Sequence, residues 1–404
     1  MSDNRISVNQ HSVPIETAIS QEQAAPYIPT TAIEKILRIL FLFLLLYIFL
    51  VGIGLMGASF KLLGEGVVEG LIRATSNPFV GLFIGILATS IVQSSSVTTS
   101  LVVGMVSADA ISLPNAIPII MGANIGTSVT NTIVSLGHVT HKQEFKRAFS
   151  AATVHDFFNF CSVIILLPLE IATGFLRKTA TWLTSLFIGA GTIEFKSPIK
   201  VIIKPAVQFA QNFFVSPEFL ALSKVIAGIL LLITAFACIF FALIFLVKNT
   251  KKLMLSNVEK VMDRLFSSNA LFAIILGAVI TGIIQSSSLT TSLFVPLVGA
   301  GILSLEAAFP ITIGANIGTT ITAILASLAG NTLGVIVAFS HLLFNISGML
   351  LFYPILQLRK IPLSLAKWIG GVAAERKVTA LVYILFMFFV LPFMVFGFTR
   401  LLGP

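Results

Sequence analysis

Apolar positions along this chain gather into long runs. The first covers residues 33–60. A second, 79–108, is apolar except for a polar middle, Gln93-Ser94-Ser95-Ser96, and a third, 114–137, contains Gly122-Ala123-Asn124-Ile125-Gly126-Thr127. A fourth covers 148–175. A mixed stretch with Lys, Pro and Thr follows at 176–218. The runs then resume at 219–247, 268–300, 304–329 and 334–358, and a last one covers 379–402. Crossing a bilayer takes about 20 residues, so these runs predict an all-α polytopic membrane protein. The first 32 residues are polar, with Pro14, Pro26 and Pro29, and read as a flexible tail.

The runs also repeat. QSSSVTTSL at 93–101 returns as QSSSLTTSL at 285–293, and GANIGTSVT at 122–130 returns as GANIGTTIT at 314–322 after the same interval. His155 and Asn159 are echoed by His341 and Asn345 after a nearly equal one. Three elements recurring in one order point to a duplication. It divides the chain into a tail (1–32), a first transmembrane repeat (33–175), a connection (176–218), a second repeat (219–358), and a loop with a C-terminal membrane helix (359–404).

Loop charge orients the repeats. The link after the first GANIGT segment carries Lys142, Lys146 and Arg147, whereas the matching link LAGNT in repeat two carries no charge. The link after the first helix of repeat two holds Lys248, Lys251, Lys252, Lys260 and Arg264. Its counterpart in repeat one balances Lys61 and Arg73 with Glu65 and Glu69. Under the positive-inside rule, equivalent links fall on opposite sides, the mark of inverted-topology repeats. Five Lys/Arg in 176–218 run against this placement, although longer connections obey the rule weakly. Five more between 359 and 377 predict an external C-terminus. With 61–75 outside and 138–147 inside, the two segments between them cannot both cross. The QSSS segment, polar in its middle, is the one expected to be a broken, re-entrant helix, so that the two repeats meet at a central site.

Composition narrows the classes. The 404 residues are 56% hydrophobic and 10% charged, against about 25% charged in soluble domains. A soluble enzyme and a disordered chain are excluded. The net charge of +9 is accounted for by cytoplasmic loops, and no nucleic-acid partner is implied. Cys161 and Cys238 lie inside apolar runs without CxxC spacing, and the five histidines lack HxxxH spacing. Neither a transition-metal site nor a bound cofactor is expected.

Two motifs carry the chemistry. If each Ser run starts a half-helix, its free N–H groups and hydroxyls form a cradle for a small oxyanion. Two such ends would clamp the anion from both sides. In the GANIGT segments, Gly lets the backbone unwind or approach closely. Asn124, Thr127, Asn316 and Thr319 supply neutral oxygens of the kind sodium takes at unwound transporter helices. Asp109, whose counterpart is Gly301, is either a cation-attracting acid reaching the cavity or an interfacial acid at the 108–113 turn. His155-Asp156 suggests acid–base chemistry. However, no nucleophile elbow is present, Leu342 replaces the acid in repeat two, and the i, i+4 His/Asn spacing fits interhelical contacts. No catalytic residue is assigned. The residues alone describe an inverted-repeat transporter of a small anion, coupled to a cation.

QSSS paired with GANIGT in two copies resembles the type II sodium-dependent phosphate cotransporters. Further resemblance lies in AIPIIMGANIGTSVTNTIVSLGH at 116–138 and FKRAFSAATVHDFFNF at 145–160. It covers about 40–400, and the compact length looks like a bacterial member, implying the inner (plasma) membrane. The resemblance implies import of divalent inorganic phosphate on a sodium gradient. Gln93, Ser94, Ser95 and Ser96 with Gln285, Ser286, Ser287 and Ser288 are implied to form the phosphate cradle. Thr319 and Thr322, with Gln285 and Ser286, are implied as sodium ligands. Asp109 is implied as the acid of electrogenic transport. Ala315 stands where a family member has Ser, removing one oxygen. The rivals are a passive small-anion channel, a sodium-coupled carrier of another oxyanion, and an intramembrane hydrolase using Ser94–Ser96.

Overall fold

A computed structural model describes residues 32–188, 198–254 and 269–401. Residues 1–31 of the tail, and Lys260 and Arg264, lie outside them. The described residues are helical, without strands. Repeat one comprises α1 (Ala32–Leu63), α2 (Glu65–Ala74), α3 (Pro78–Val92), α4 (Ser95–Ser107), α5 (Leu113–Gly126), α6 (Val129–Ser135) and α7 (Lys142–Thr173). Two helices, α8 (Phe175–Ile188) and α9 (Pro198–Val215), follow. Repeat two comprises α10 (Lys224–Met254), α11 (Ala270–Ile284), α12 (Ser287–Ser292), α13 (Phe294–Ala300), α14 (Leu305–Ser327) and α15 (Thr332–Phe352). The chain ends in α16 (Leu356–Glu375), α17 (Val378–Leu385), a π-helical turn (Phe386–Val390) and α18 (Leu391–Leu401). Seven of the described helical segments are long and apolar enough to cross a membrane.

The same local signals build both repeats. Asn77 caps α3 by accepting from Phe79 N at 2.9 Å, with Pro78 in the first turn, and Asn269 caps α11 by accepting from Phe272 N at 2.9 Å. Both helices stop at a glutamine in the left-handed region, Gln93 at φ 56° and Gln285 at φ 59°. The next helix starts at once, capped by Ser94 (from Val97 N, 3.3 Å) and by Ser286 (from Leu289 N, 3.2 Å). The chain folds back on itself there, since Thr89 Oγ1 donates to Thr98 Oγ1, and Thr281 Oγ1 to Thr290 Oγ1, both at 2.9 Å. At 15 and 13 residues, α3 and α4 are about 22 and 20 Å long. Each is short of the roughly 30 Å of a hydrocarbon core. The expected break in the polar middle of 79–108 is therefore present, as a helical hairpin with QSSS at its tip.

Each hairpin is clasped by a GANIGT helix through glycine. A Cβ on Gly122 would drive into the carbonyl of Leu82, and one on Gly314 into that of Ile274. Thus α3 lies on α5 and α11 on α14 with backbones in contact. The α5–α6 span and α14 are the most enclosed, with 78% of their apolar windows buried against 39% for α1 and 33% for α10. The glycines of GANIGT thereby serve close approach, not unwinding. Helix α14 runs unbroken through its copy, and the first copy is interrupted only at Thr127-Ser128.

Equivalent helices of the two repeats pair in opposite directions. Arg38, near the start of α1, meets Asn249 near the end of α10, with Asn249 Nδ2 donating to Arg38 O at 2.8 Å. Further along, Gly52 lies on Ala235 and Ile239, and Ser59 Oγ donates to Gly228 O at 2.8 Å. Helices α7 and α15 do the same, with Phe158 edge-on to Phe352 and Ser162 against Gly348.

Two stretches outside the repeats hold further helices. The 176–218 connection contains helices, because Ile199, Ile203, Val207, Ala210 and Phe214 recur at helical spacing and pack into the core beside α1. The expected loop after 359 is helix α16. Its basic residues punctuate a stripe of Leu363, Ala366, Ile369 and Ala373 that packs into the core.

Candidate functional site

The two QSSS tips meet. Ser96 Oγ, 2% exposed, donates to the backbone oxygen of Gln285 at 2.8 Å. Ser288 Oγ donates to Thr127 O at 3.4 Å, and Thr322 Oγ1 donates to Ser96 Oγ at 3.4 Å. Ser95 and Ser287 open their helices and are buried, Ser94, Ser286 and Gln285 are half-buried, and Gln93 is exposed. Both Ser runs thus sit at helix N-termini that converge between α5 and α14. First-turn N–H groups and hydroxyls are the donors there, and the side chains joining the tips are uncharged. That set fits a small oxyanion.

Of the cation candidates, Thr322 lies in this junction, and Thr319 stands one turn before it on α14. Thr319 Oγ1 is buried without a hydrogen-bond partner, whereas Thr322 reaches Ser96, which reaches the Gln285 carbonyl. Thr127 Oγ1 donates to Ala123 O at 2.9 Å, and only the Thr127 carbonyl faces the second tip.

Asn124 and Asn316 are engaged elsewhere. Asn124 Oδ1 pairs with His341 Nε2 at 3.0 Å, and Asn124 Nδ2 donates to Asn345 Oδ1 at 3.1 Å. Asn316 Oδ1 pairs with His155 Nε2, and Asn316 Nδ2 donates to Asn159 Oδ1 at 2.8 Å. Each repeat's His/Asn pair therefore grips the other repeat's GANIGT asparagine. Because each asparagine oxygen faces a ring Nε2, these hydrogen bonds require a proton on that nitrogen. The side chains of Asn124 and Asn316 are thus engaged in contacts between the repeats.

Asp109 is not brought to the junction. It is exposed, at φ 57° in the turn closing α4. It lies about 20 Å along the helix from Ser95 at 1.5 Å per residue. Its counterpart Gly301 has φ 79°, so both positions close their helices by the same left-handed turn. Asp109 thus lies apart from the junction, in the place of the interfacial reading.

Sequence reasoning missed two contacts. Asn131 and Thr291 exchange hydrogen bonds of 2.8 and 3.0 Å, tying α6 to the second tip. Asn131 stands in SVTNT but has Ala323 as its counterpart, so the repeat gave no signal. Asp156 is buried, with Oδ2 accepting from Tyr383 at 2.8 Å and Oδ1 unpartnered, which ties α17 to α7.

The Na+/Pi-cotransporter family profile matches residues 48–195 and 238–394. Sodium-dependent phosphate transport protein 2A of Rattus norvegicus is 34% identical over 432 residues, covering 90% of this chain and 68% of the relative. The 2A protein of Ovis aries is 36% identical over 423 residues, with 87% and 66% covered. The 2B protein of Homo sapiens is 34% identical over 452 residues, with 89% and 65% covered. This chain thus spans about two thirds of their length. No solved structure matches it.

Proposed function

Because the chain belongs to the Na+/Pi-cotransporter family, we propose that it is a sodium-coupled secondary active transporter. On this reading it imports inorganic phosphate across a plasma membrane by alternating access. The observation that carries the reading is the meeting of the two Ser tips through Ser96 and the Gln285 carbonyl. Phosphate binds across Ser94, Ser95 and Ser96 of one tip and Ser286, Ser287 and Ser288 of the other, with Gln93 and Gln285 at the rim. Sodium binds beside it at the Gln285 carbonyl, Ser286, Thr319 and Thr322.

Coupling follows from charge. The contacts that join the tips are neutral, and an unpaired anion in a low-dielectric cradle is strongly disfavoured. Sodium at the adjacent oxygens supplies the missing positive charge, so phosphate occupies the loaded site together with its cation. Release on the other side follows when sodium leaves. Asp109 takes no part.

Inverted repeats supply the alternation. The antiparallel pairing of α1 with α10 and of α7 with α15, and the reciprocal His/Asn struts, support a two-fold axis in the membrane plane. Lys142, Lys146 and Arg147 then lie inside and Lys61 outside. The experiment is uptake by Ser96→Ala and Ser288→Ala. Each is expected to raise the phosphate concentration for half-maximal uptake about tenfold while sodium dependence remains, the scale of one hydrogen bond to a charged group. Unchanged phosphate affinity in both would remove the cradle.

A further inference from the structure

Away from the tips, a cavity of about 470 Å³ opens between the start of α7, the α13–α14 turn and α16. Lys146, Arg147, Ser150, Ser304, Glu306 and Lys367 are among its lining residues. Several features hold it in shape. Arg147 Nε donates to Gly299 O at 2.8 Å, which anchors the guanidinium on the last turn of α13. This leaves the terminal N–H groups of Arg147 for a ligand. Gly370 lets α16 lie on α7, since a Cβ there would meet Ser150 Oγ and the Lys146 carbonyl. Ser304 caps α14 by accepting from Ala307 N at 3.1 Å, so a 23-residue helix begins at the cavity wall.

The electrostatics are one-sided. Glu306 is paired with Lys367, whereas among the described residues neither Lys146 nor Arg147 has a carboxylate in ion-pair reach. Three cations face one carboxylate. An Arg fork and a Lys point charge together favour a phosphoryl group. The volume lies within the roughly 300–1,000 Å³ of small-molecule sites, so a phosphate with more attached to it fits. Trp368 is 63% exposed beside Lys367, as an interfacial anchor would be. The duplication adds a control. At the equivalent turn of repeat one, Asp109 replaces Gly301, so this basic cavity is not part of the duplicated machinery.

We propose that this cavity is a second phosphoryl-binding site, separate from the transport junction. It takes either the headgroup of an anionic phospholipid or free inorganic phosphate. Binding does not depend on the transport reading; that the cavity opens at the cytoplasmic leaflet rests on the sidedness proposed above.

The test uses the delipidated full chain in detergent, without sodium, followed by thermal melting. The probes are a short-chain phosphatidylglycerol and inorganic phosphate, with a short-chain phosphatidylcholine as the uncharged control. Wild type is expected to be stabilised by at least one anionic probe. The Lys146→Gln/Arg147→Gln variant is expected to need about thirtyfold more of it, and Glu306→Gln about fivefold less, at about fivefold per charge removed. A response to phosphatidylglycerol alone identifies a lipid headgroup, and a response to inorganic phosphate identifies the free ion. The Glu306→Gln arm keeps the test open if the double variant fails to fold. Wild-type responses in both variants, or no response to either anion in wild type, would overturn the site. Sodium-driven uptake by the double variant in phosphatidylcholine vesicles is expected to persist, which separates this outcome from failure of the transport reading.

Discussion

Thr319→Val separates a cation ligand from a packing residue, because the two roles predict opposite combinations of effects. The side chain is 1% exposed and its hydroxyl makes no hydrogen bond. A buried unpaired hydroxyl carries a desolvation penalty of about 1–3 kcal/mol, and valine keeps the shape without it. Sodium-free protein should therefore become more stable by up to that amount. Sodium binding should weaken, because one oxygen of the site is gone. A loss of about 1.4 kcal/mol is a tenfold rise in the sodium dissociation constant. At a sodium concentration about a hundred times the wild-type constant, sodium adds about 2.7 kcal/mol to wild-type stability and about 1.4 kcal/mol to the variant. The assay is thermal melting of purified protein across a sodium series, paired with the sodium dependence of phosphate uptake. A raised sodium-free melting temperature, a sodium increment about half as large and a right-shifted uptake curve are expected. A sodium increment and half-saturation equal to wild type would refute the reasoning, whatever happens to basal stability.

Three further outcomes follow from the same geometry. Gly122→Ala and Gly314→Ala place a methyl against the Leu82 and Ile274 carbonyls and should each destabilise by about 1–3 kcal/mol; unchanged melting would show that the hairpins are not clasped. Asp109→Asn should leave the sodium half-saturation of uptake and the charge moved per phosphate unchanged, and a shift in either would return Asp109 to the site. Tyr383→Phe strips Asp156 of its one hydrogen-bond donor and should lower stability by about 1–3 kcal/mol, read by melting with Asp156→Asn/Tyr383→Phe as the rescue; a silent single variant would show that the pair does not hold α17.

What the sequence made legible was what it states twice. The QSSS break was readable because four polar residues interrupt an apolar run, and both copies fold into the same capped hairpin. The His/Asn spacing marked polar interhelical contacts, but the partners were not readable. They depend on repeats pairing in opposite directions, so that His341 reaches Asn124 and His155 reaches Asn316. For the same reason the GANIGT asparagines looked like free ligands. Glycine's two uses, unwinding and close approach, have one sequence signature, and only the facing carbonyls of Leu82 and Ile274 distinguish them. Helix α16 was hidden because Arg359, Lys360 and Lys367 interrupt its apolar stripe. The basic cavity was hidden because its walls come from α7, the α13–α14 turn and α16, far apart in the chain.

Coupling itself is measured by radiolabelled phosphate uptake into proteoliposomes, with an inward sodium gradient and with potassium in place of sodium. Uphill accumulation in sodium alone is the predicted result. Equal, merely equilibrative flux in both salts would contradict sodium-coupled import.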